Sequence, residues 1–254
     1  MAASKEDSYC KLLEEWHKRD DYEATFRSVV EELAGKVDFS WIKSCVAFGT
    51  GGGVDEIAFV QRLMPNLRLF VAVEPDSESV AALQQNFEDG QLSWVEARIA
   101  ETKLESWSGL DTRVDATLLF NVLFHVKLED RRALFEKLST RYLNQDGIVA
   151  IIENESADAS GFMRLMKRLG NPEYRYKDVE RDMLDAGFSV VLTQSITGKR
   201  DLRNPGEDVL TYIELLLKSN HCTASHEEIR LAIADIFSQP EWQTYNKRLA
   251  IFRK

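Results

Sequence analysis

Apolar residues follow two alternating rhythms along this chain. Continuous apolar runs at 45–48, 69–73, 92–96, 114–120, 148–153 and 188–193 read as strands. A strand covered on both faces has no polar side to alternate with, so its sequence is apolar throughout. Stretches at helical spacing separate nearly all of them, at 57–63, 77–87, 129–143, 159–169 and 177–186. This alternation predicts an α/β fold: a Rossmann-like, seven-stranded, mostly parallel sheet with helices on both faces. The two ends depart from the alternation. Residues 1–36 read as helix, with Leu12, Leu13 and Trp16, then Phe26, Val29, Val30 and Leu33 at helical spacing, broken by Asp20-Asp21. Near the other end, 207–219 and 225–237 read as helices, the second opened by a capping box, Ser225-x-x-Glu228. The run 249–252 is the seventh strand, expected antiparallel to its neighbour, and 199–207, with Pro205-Gly206, is expected to be the most mobile loop. The expectation is one domain, 1–254, divided into an N-terminal helical lid at 1–38, a cofactor-binding core at 39–195, and C-terminal helices with the last strand at 196–254. The helical elements at the two ends would form a lid over a substrate.

The first strand runs into Gly49-Thr50-Gly51-Gly52-Gly53, and the second stops on Glu74-Pro75. Strand, glycine turn, helix, strand, acid is how an open parallel sheet holds an adenosine-bearing cofactor, the acid accepting the ribose hydroxyls. The spacing is G-x-G-x-G rather than the dinucleotide G-x-G-x-x-G, and Asp55 and Glu56 follow in the first helical turn. Two carboxylates there repel a pyrophosphate and tolerate a cofactor that has no phosphate and carries positive charge. S-adenosylmethionine has that chemistry.

Composition narrows the partners. A net charge of −10 leaves no basic stripe for nucleic acid and suits a small neutral or cationic substrate. The first 30 residues are charged throughout, so no secretory segment and no membrane span is expected, and three cysteines read as reduced thiols of a cytoplasmic, monomeric protein. His221, Cys222 and His226 lack a second ligand-spaced pair and read as structural, with no metal. Trp94, Trp107 and Trp242 read as packing residues.

The glycine loop, Val73-Glu74-Pro75, Phe120-Asn121 ending the fourth strand and Ala186-Gly187-Phe188 resemble class I S-adenosylmethionine-dependent methyltransferases over roughly residues 40–195. Within them the chain is similar to the histamine N-methyltransferase family. That likeness rests further on the stretch Trp94 to Glu101, on Leu123-Phe124-His125-Val126-Lys127, on Gln239-Pro240-Glu241 and on Asn246 to Leu249.

The resemblance implies cofactor contacts at Gly49, Gly51, Gly53 and Glu74. It puts Ile99 and Glu101 against the adenine and the Phe120 backbone near the methionine moiety. Asn121 and His125, standing where the family has a glutamine and an aromatic, would face the acceptor. Trp16, Asp20, Asp21, Tyr22, Phe124, Asn246 and Lys247 would line the substrate pocket, an N-terminal acid holding a cationic amine. Lys247 aligns with a family asparagine, and it or Arg175 would suit a substrate carboxylate. Two of these have plainer readings: Asp20-Asp21 as a helix cap, and His125 as a partly buried histidine with a local hydrogen bond. The function expected is N-methylation of a small amine or imidazole, histamine-like. The alternatives are a carboxylate-bearing imidazole, an oxygen acceptor, or a non-catalytic binding protein on the same fold.

Overall fold

The computed structural model describes residues 9–89, 92, 94–155, 160–170, 176–203, 205–219, 222–239 and 243–254. Its elements are α1 (Tyr9–His17), α2 (Tyr22–Ala34), β1 (Ser44–Phe48), α3 (Val54–Leu63), β2 (Leu69–Val73), α4 (Ser77–Asp89), β3 (Glu96–Ala100), β4 (Val114–Phe120), α5 (Leu128–Lys137), β5 (Leu143–Asn154), α6 (Gly161–Arg168), α7 (Tyr176–Asp185), β6 (Ser189–Lys199), α8 (Glu207–Ser219), α9 (His226–Phe237) and β7 (Thr244–Arg253). The seven strands form one sheet in the order β3-β2-β1-β4-β5-β7-β6, with β7 antiparallel to both neighbours and the other pairs parallel. This is the Rossmann-like, mostly parallel seven-stranded arrangement that the alternation predicts. The order reverses between β1 and β4, which is where such sheets open a crevice at their carboxyl edge.

Alternate residues of the central strands feed two cores. Cys45, Ala47, Phe70, Ala72 and Leu118 pack under α2, α3 and α4; Val46, Phe48, Val71, Leu119 and Ile151 pack under α5 and α7. A third cluster stands apart from the sheet, built from Leu12 and Trp16 of α1, Leu165 of α6, Ile213 and Leu217 of α8, and Ile233 of α9. Burial of this kind contributes about 25 cal/mol per Å² of apolar surface and holds the terminal helices together as a cap. The Ser225–Glu228 capping box is present at the start of α9.

Several expectations change. The third strand is Glu96–Ala100, not 92–96. Leu92 and Val95 are buried, but in a turn closed by the Val95 N–H to Leu92 C=O bond (2.9 Å), and the edge strand after them carries exposed Glu96 and Arg98. Trp94 is 44% exposed rather than packed, whereas Trp107 is buried against Phe48 and Tyr142, with ring centroids 5.2 and 4.9 Å away. The helix expected at 129–143 ends as α at Lys137 and widens into a π turn, Leu138–Tyr142, before β5. Finally β6 and β7 run well past their apolar centres, pairing as far as Lys199↔Thr244. The start of the loop read as mobile is held down, because Arg200 is buried and bonded to Asp20. Cys45 and Cys222 are unpaired. No helix among the described residues is long and apolar enough to cross a membrane.

Candidate functional site

The carboxyl edge of β1 and β2 is built largely from backbone. Gly49, Gly51 and Gly53 all take positive φ (60°, 52° and 74°). At Gly53 a Cβ would stand 2.1 Å from Leu83 Cδ1, so both backbone and space require glycine where the loop enters α3. The loop curls around Glu74. The Gly51 N–H donates to Glu74 Oε2 (2.8 Å) and the Asp76 N–H donates to Oε1 (3.0 Å). Glu74 is 6% exposed, and burial raises its pKa above the usual carboxylate range. A carboxylate has about four acceptor positions, so two remain for a diol. The parallel pairing sets Ile99 beside Ala72 and Ala100 beside Val73, so Ile99 and the exposed Glu101 lie next to Glu74 at this edge. Helix α1 leans over the loop, Leu13 Cδ2 being 4.0 Å from where a Gly51 Cβ would stand. Burial raises the pKa of both Asp55 and Glu56; for Glu56 the neighbouring Asp55 adds to it.

Side chains from distant elements make the other half. Phe120 closes β4 with its ring in the core, 5.3 Å from Phe59 and 6.0 Å from Phe26. Asn121 follows with φ +53°, the one non-glycine in the left-handed region among the described residues. Asparagine bears that conformation better than most side chains. Its amide is held at both ends: Lys247 Nζ donates to Oδ1 (2.6 Å), and Nδ2 donates to Tyr22 Oη (3.2 Å). Lys247 Nζ also sits 4.4 Å over the Tyr22 ring. The Asp55 carboxylate lies beside the Tyr22 hydroxyl, whose pKa burial and Asp55 push well up. Burial, with repulsion from Arg200, lowers Lys247 to about 8, while Asp55, Asp20 and Glu153 pull the other way. Four elements, α2, α3, β4 and β7, thus converge on one amide.

The remaining expected pocket residues divide. Asp20 accepts from Arg200 Nε (3.0 Å) and from the Tyr22 N–H (3.2 Å), and its side chain is 1% exposed. Burial pushes its carboxyl up, but hydrogen bonding to His17 and the charge of Arg200 more than offset this and leave it lowered. Arg200 is itself stacked over Trp16 (4.2 Å) and Tyr245 (5.2 Å). Asp21 Oδ1 accepts from the Lys199 N–H and from Tyr245 Oη, both at 2.9 Å. Gly198 leaves room for that junction, since a Cβ there would stand 2.1 Å from Tyr245 Oη. Both acids therefore brace α2 against the β6–β7 hairpin. Trp16 packs on Phe162 and Tyr212 in the cap.

Asn246 accepts from Thr197 Oγ1 (3.0 Å). Successive strand residues face opposite ways, so it points away from the side that Lys247 occupies. Phe124 is half-buried at the rim of the cap, its ring 4.2 Å from that of His125. His125 keeps over a third of its surface open although crowding lowers its pKa to about 4; a neutral imidazole at pH 7.4 follows from either environment. Arg175, His221, Pro240, Glu241 and Trp242 lie outside the described residues.

Arg200, Tyr245 and Asp55 belong to the site's framework and were not among the expected pocket residues. Asp55 was visible in the first turn of the helix after the glycine loop. The period-two pair Tyr245-x-Lys247 was the signal for a polar strand facing a cleft.

No protein-family model and no curated protein sequence matches the chain. Solved structures do. A provisionally named methyltransferase of Bacillus halodurans C-125 is 13% identical, with 90% of this chain and 98% of that one covered at a TM-score of 0.64. The N-methyltransferase NodS of Bradyrhizobium japonicum WM9 is 11% identical, covering 92% and 96% at 0.57. The magnesium protoporphyrin IX methyltransferase of Synechocystis PCC 6803, solved with bound SAH, is 15% identical, covering 91% and 83% at 0.54. At these identities the likeness is one of fold.

Proposed function

We propose that the chain is an S-adenosylmethionine-dependent methyltransferase acting on a nitrogen of a small amine or imidazole. The observation that carries this reading is Glu74, buried at the tip of β2 in the curl of the glycine loop with a free acceptor position on each oxygen. The bound SAH of the Synechocystis relative and the N-methyl transfer of NodS support it as properties of proteins sharing the fold.

When bound, the cofactor supplies a methyl group already activated on a sulfonium. Glu74 would accept the ribose hydroxyls, Ile99 and Glu101 would border the adenine, and the Gly49–Gly53 backbone would approach the rest. Asp55, half-buried in the first turn of α3, makes the loop hospitable to positive charge and hostile to phosphate, while Glu56 is buried behind it with its pKa raised. The chain's own task is then alignment and exclusion of water, worth up to roughly 7–11 kcal/mol of barrier. Asn121, held by Lys247 and Tyr22, presents a fixed polar group at the end of β4 where an acceptor nitrogen would lie. Every residue in this account comes from one copy of the chain.

Calorimetry with S-adenosylhomocysteine tests the reading. The wild-type chain should bind it, and Glu74→Ala should lose about 1.5–3 kcal/mol, the usual worth of hydrogen bonds to a charged group. Unchanged affinity in a folded variant removes the ribose assignment. Labelled methyl transfer to a panel of amines, imidazoles and catechols tests the acceptor. Transfer to oxygen alone would discard the nitrogen assignment and leave the cofactor assignment standing.

A further inference from the structure

Lys247 is a partly buried ammonium with no ion-pair partner among the described residues. It donates one hydrogen bond, to the neutral Asn121 Oδ1, and rests on the Tyr22 ring. No carboxylate lies within ion-pair distance of it among the described residues, although an ammonium carries three donors. The acids whose charge it feels are engaged elsewhere. Asp20 holds Arg200, and Asp55 lies against the Tyr22 hydroxyl. Glu153 is the cross-strand partner of Arg248, hence on the far face of the sheet; its Oε1 accepts from Asn154, and its Oε2, buried there without a hydrogen-bond partner, is turned away from Lys247. Arg200 adds further positive charge. Asp20 and Asp21, the acids that the sequence offers for a cationic amine, are both used as internal braces.

Resting on the function proposed above, we infer that Lys247 is a carboxylate anchor: a ligand bound beside Asn121 supplies the anion that the folded chain withholds. A partly buried, unpaired ammonium is costly to desolvate, and a ligand carboxylate would offset that cost with charge-assisted hydrogen bonds. With its pKa lowered to about 8, the group is still mostly charged at pH 7.4. Two carboxylates could meet it. One belongs to an acceptor that is an amino acid or imidazole carboxylate rather than a simple amine. The other belongs to the methionine end of the cofactor.

The test uses the full chain as wild type, Lys247→Met, which keeps length and removes charge, and Lys247→Arg, which keeps charge. The readouts are calorimetric affinity for S-adenosylhomocysteine, and KM and kcat for acceptors paired with and without a carboxylate, such as histidine and histamine. A loss of about 10- to 100-fold in cofactor affinity for Lys247→Met, largely restored in Lys247→Arg, assigns the cofactor carboxylate. A similar rise in KM confined to carboxylated acceptors, with cofactor affinity kept, assigns the acceptor carboxylate. Unchanged cofactor affinity together with unchanged KM for both members of each pair overturns the inference, and so does an equal fall in kcat for all acceptors. If Lys247→Met does not fold, the ligand side still decides on wild-type protein. Removing the carboxylate from the acceptor, or using a decarboxylated cofactor analogue, should cost the same factor, and no cost from either overturns the inference. Failure of the wild type to bind S-adenosylhomocysteine overturns the proposed function and this inference with it; binding together with an unaffected Lys247→Met overturns the inference alone.

Discussion

The two halves of the cleft are assembled in opposite ways. The half around Glu74 comes from one short stretch, Gly49 to Asp76, and is closed by backbone N–H groups donating to a single carboxylate. The half around Asn121 draws Asp20, Tyr22, Asp55, Arg200, Tyr245 and Lys247 from across the chain and is closed by side chains. A site made of local backbone tolerates extensive drift elsewhere in the sequence. A site made of side chains from five elements can change its ligand with a single substitution. Structures only 11–15% identical keep the fold, as expected where the shared frame rests on local backbone.

The largest way to break this contrast is at Arg200. Arg200→Met leaves Asp20 buried without its cation, and breaking such a pair costs about 3–5 kcal/mol. Denaturant unfolding should show that loss, with acceptor KM affected more than cofactor affinity. The pH dependence has a definite sign. Asp20 has a lowered pKa in the folded chain, so its contribution is present above the unfolded carboxylate value and lost as pH falls through the folded one. The penalty of Arg200→Met should therefore be full at neutral pH and shrink in acid. An equal penalty at pH 7 and pH 3.5 would mean that the pair is not what the substitution breaks.

A smaller effect separates backbone from side chain at Asn121. Asn121→Ala and Asn121→Gly both delete the amide and should impair turnover or raise acceptor KM alike, with cofactor affinity near wild type. Alanine at φ +53° carries an additional left-handed cost of about 1–2 kcal/mol that glycine avoids. Thermal unfolding should rank glycine above alanine, and the reverse order would remove the strain argument. The smallest effect is at Asn246, which faces away from the cleft. Asn246→Ala should leave kinetics unchanged and stability within about 0.5 kcal/mol. A clear kinetic defect would show that β7 presents its other face to the ligand.

What could be read in advance follows the same division. The glycine loop, Glu74 and the strand–helix alternation are legible because each is a local pattern with a local cause. The polar half of β7, 244–248, was missed because a strand that lines a cleft loses its apolar run there. β3 was displaced by four residues because Leu92 and Val95 mimic a strand while serving a turn, and the true edge strand carries charge. Asp20-Asp21 was recognised as a break between helices, but its partners, Arg200 and Tyr245, lie some 180 and 224 positions away. No spacing rule spans such a distance.

The Asn121 amide has a consequence for selectivity. An asparagine at a pocket wall ordinarily can rotate by half a turn and present either its oxygen or its nitrogen, so it greets donors and acceptors alike. Here the oxygen is claimed by Lys247 and the nitrogen by Tyr22, and a flip would set two donors against each other at one end. The group has become a directional gauge of hydrogen-bond polarity: if Asn121 borders the ligand as proposed, an incoming atom would meet oxygen on the lysine side and N–H on the tyrosine side, and a ligand with that order reversed would be turned away without any steric clash.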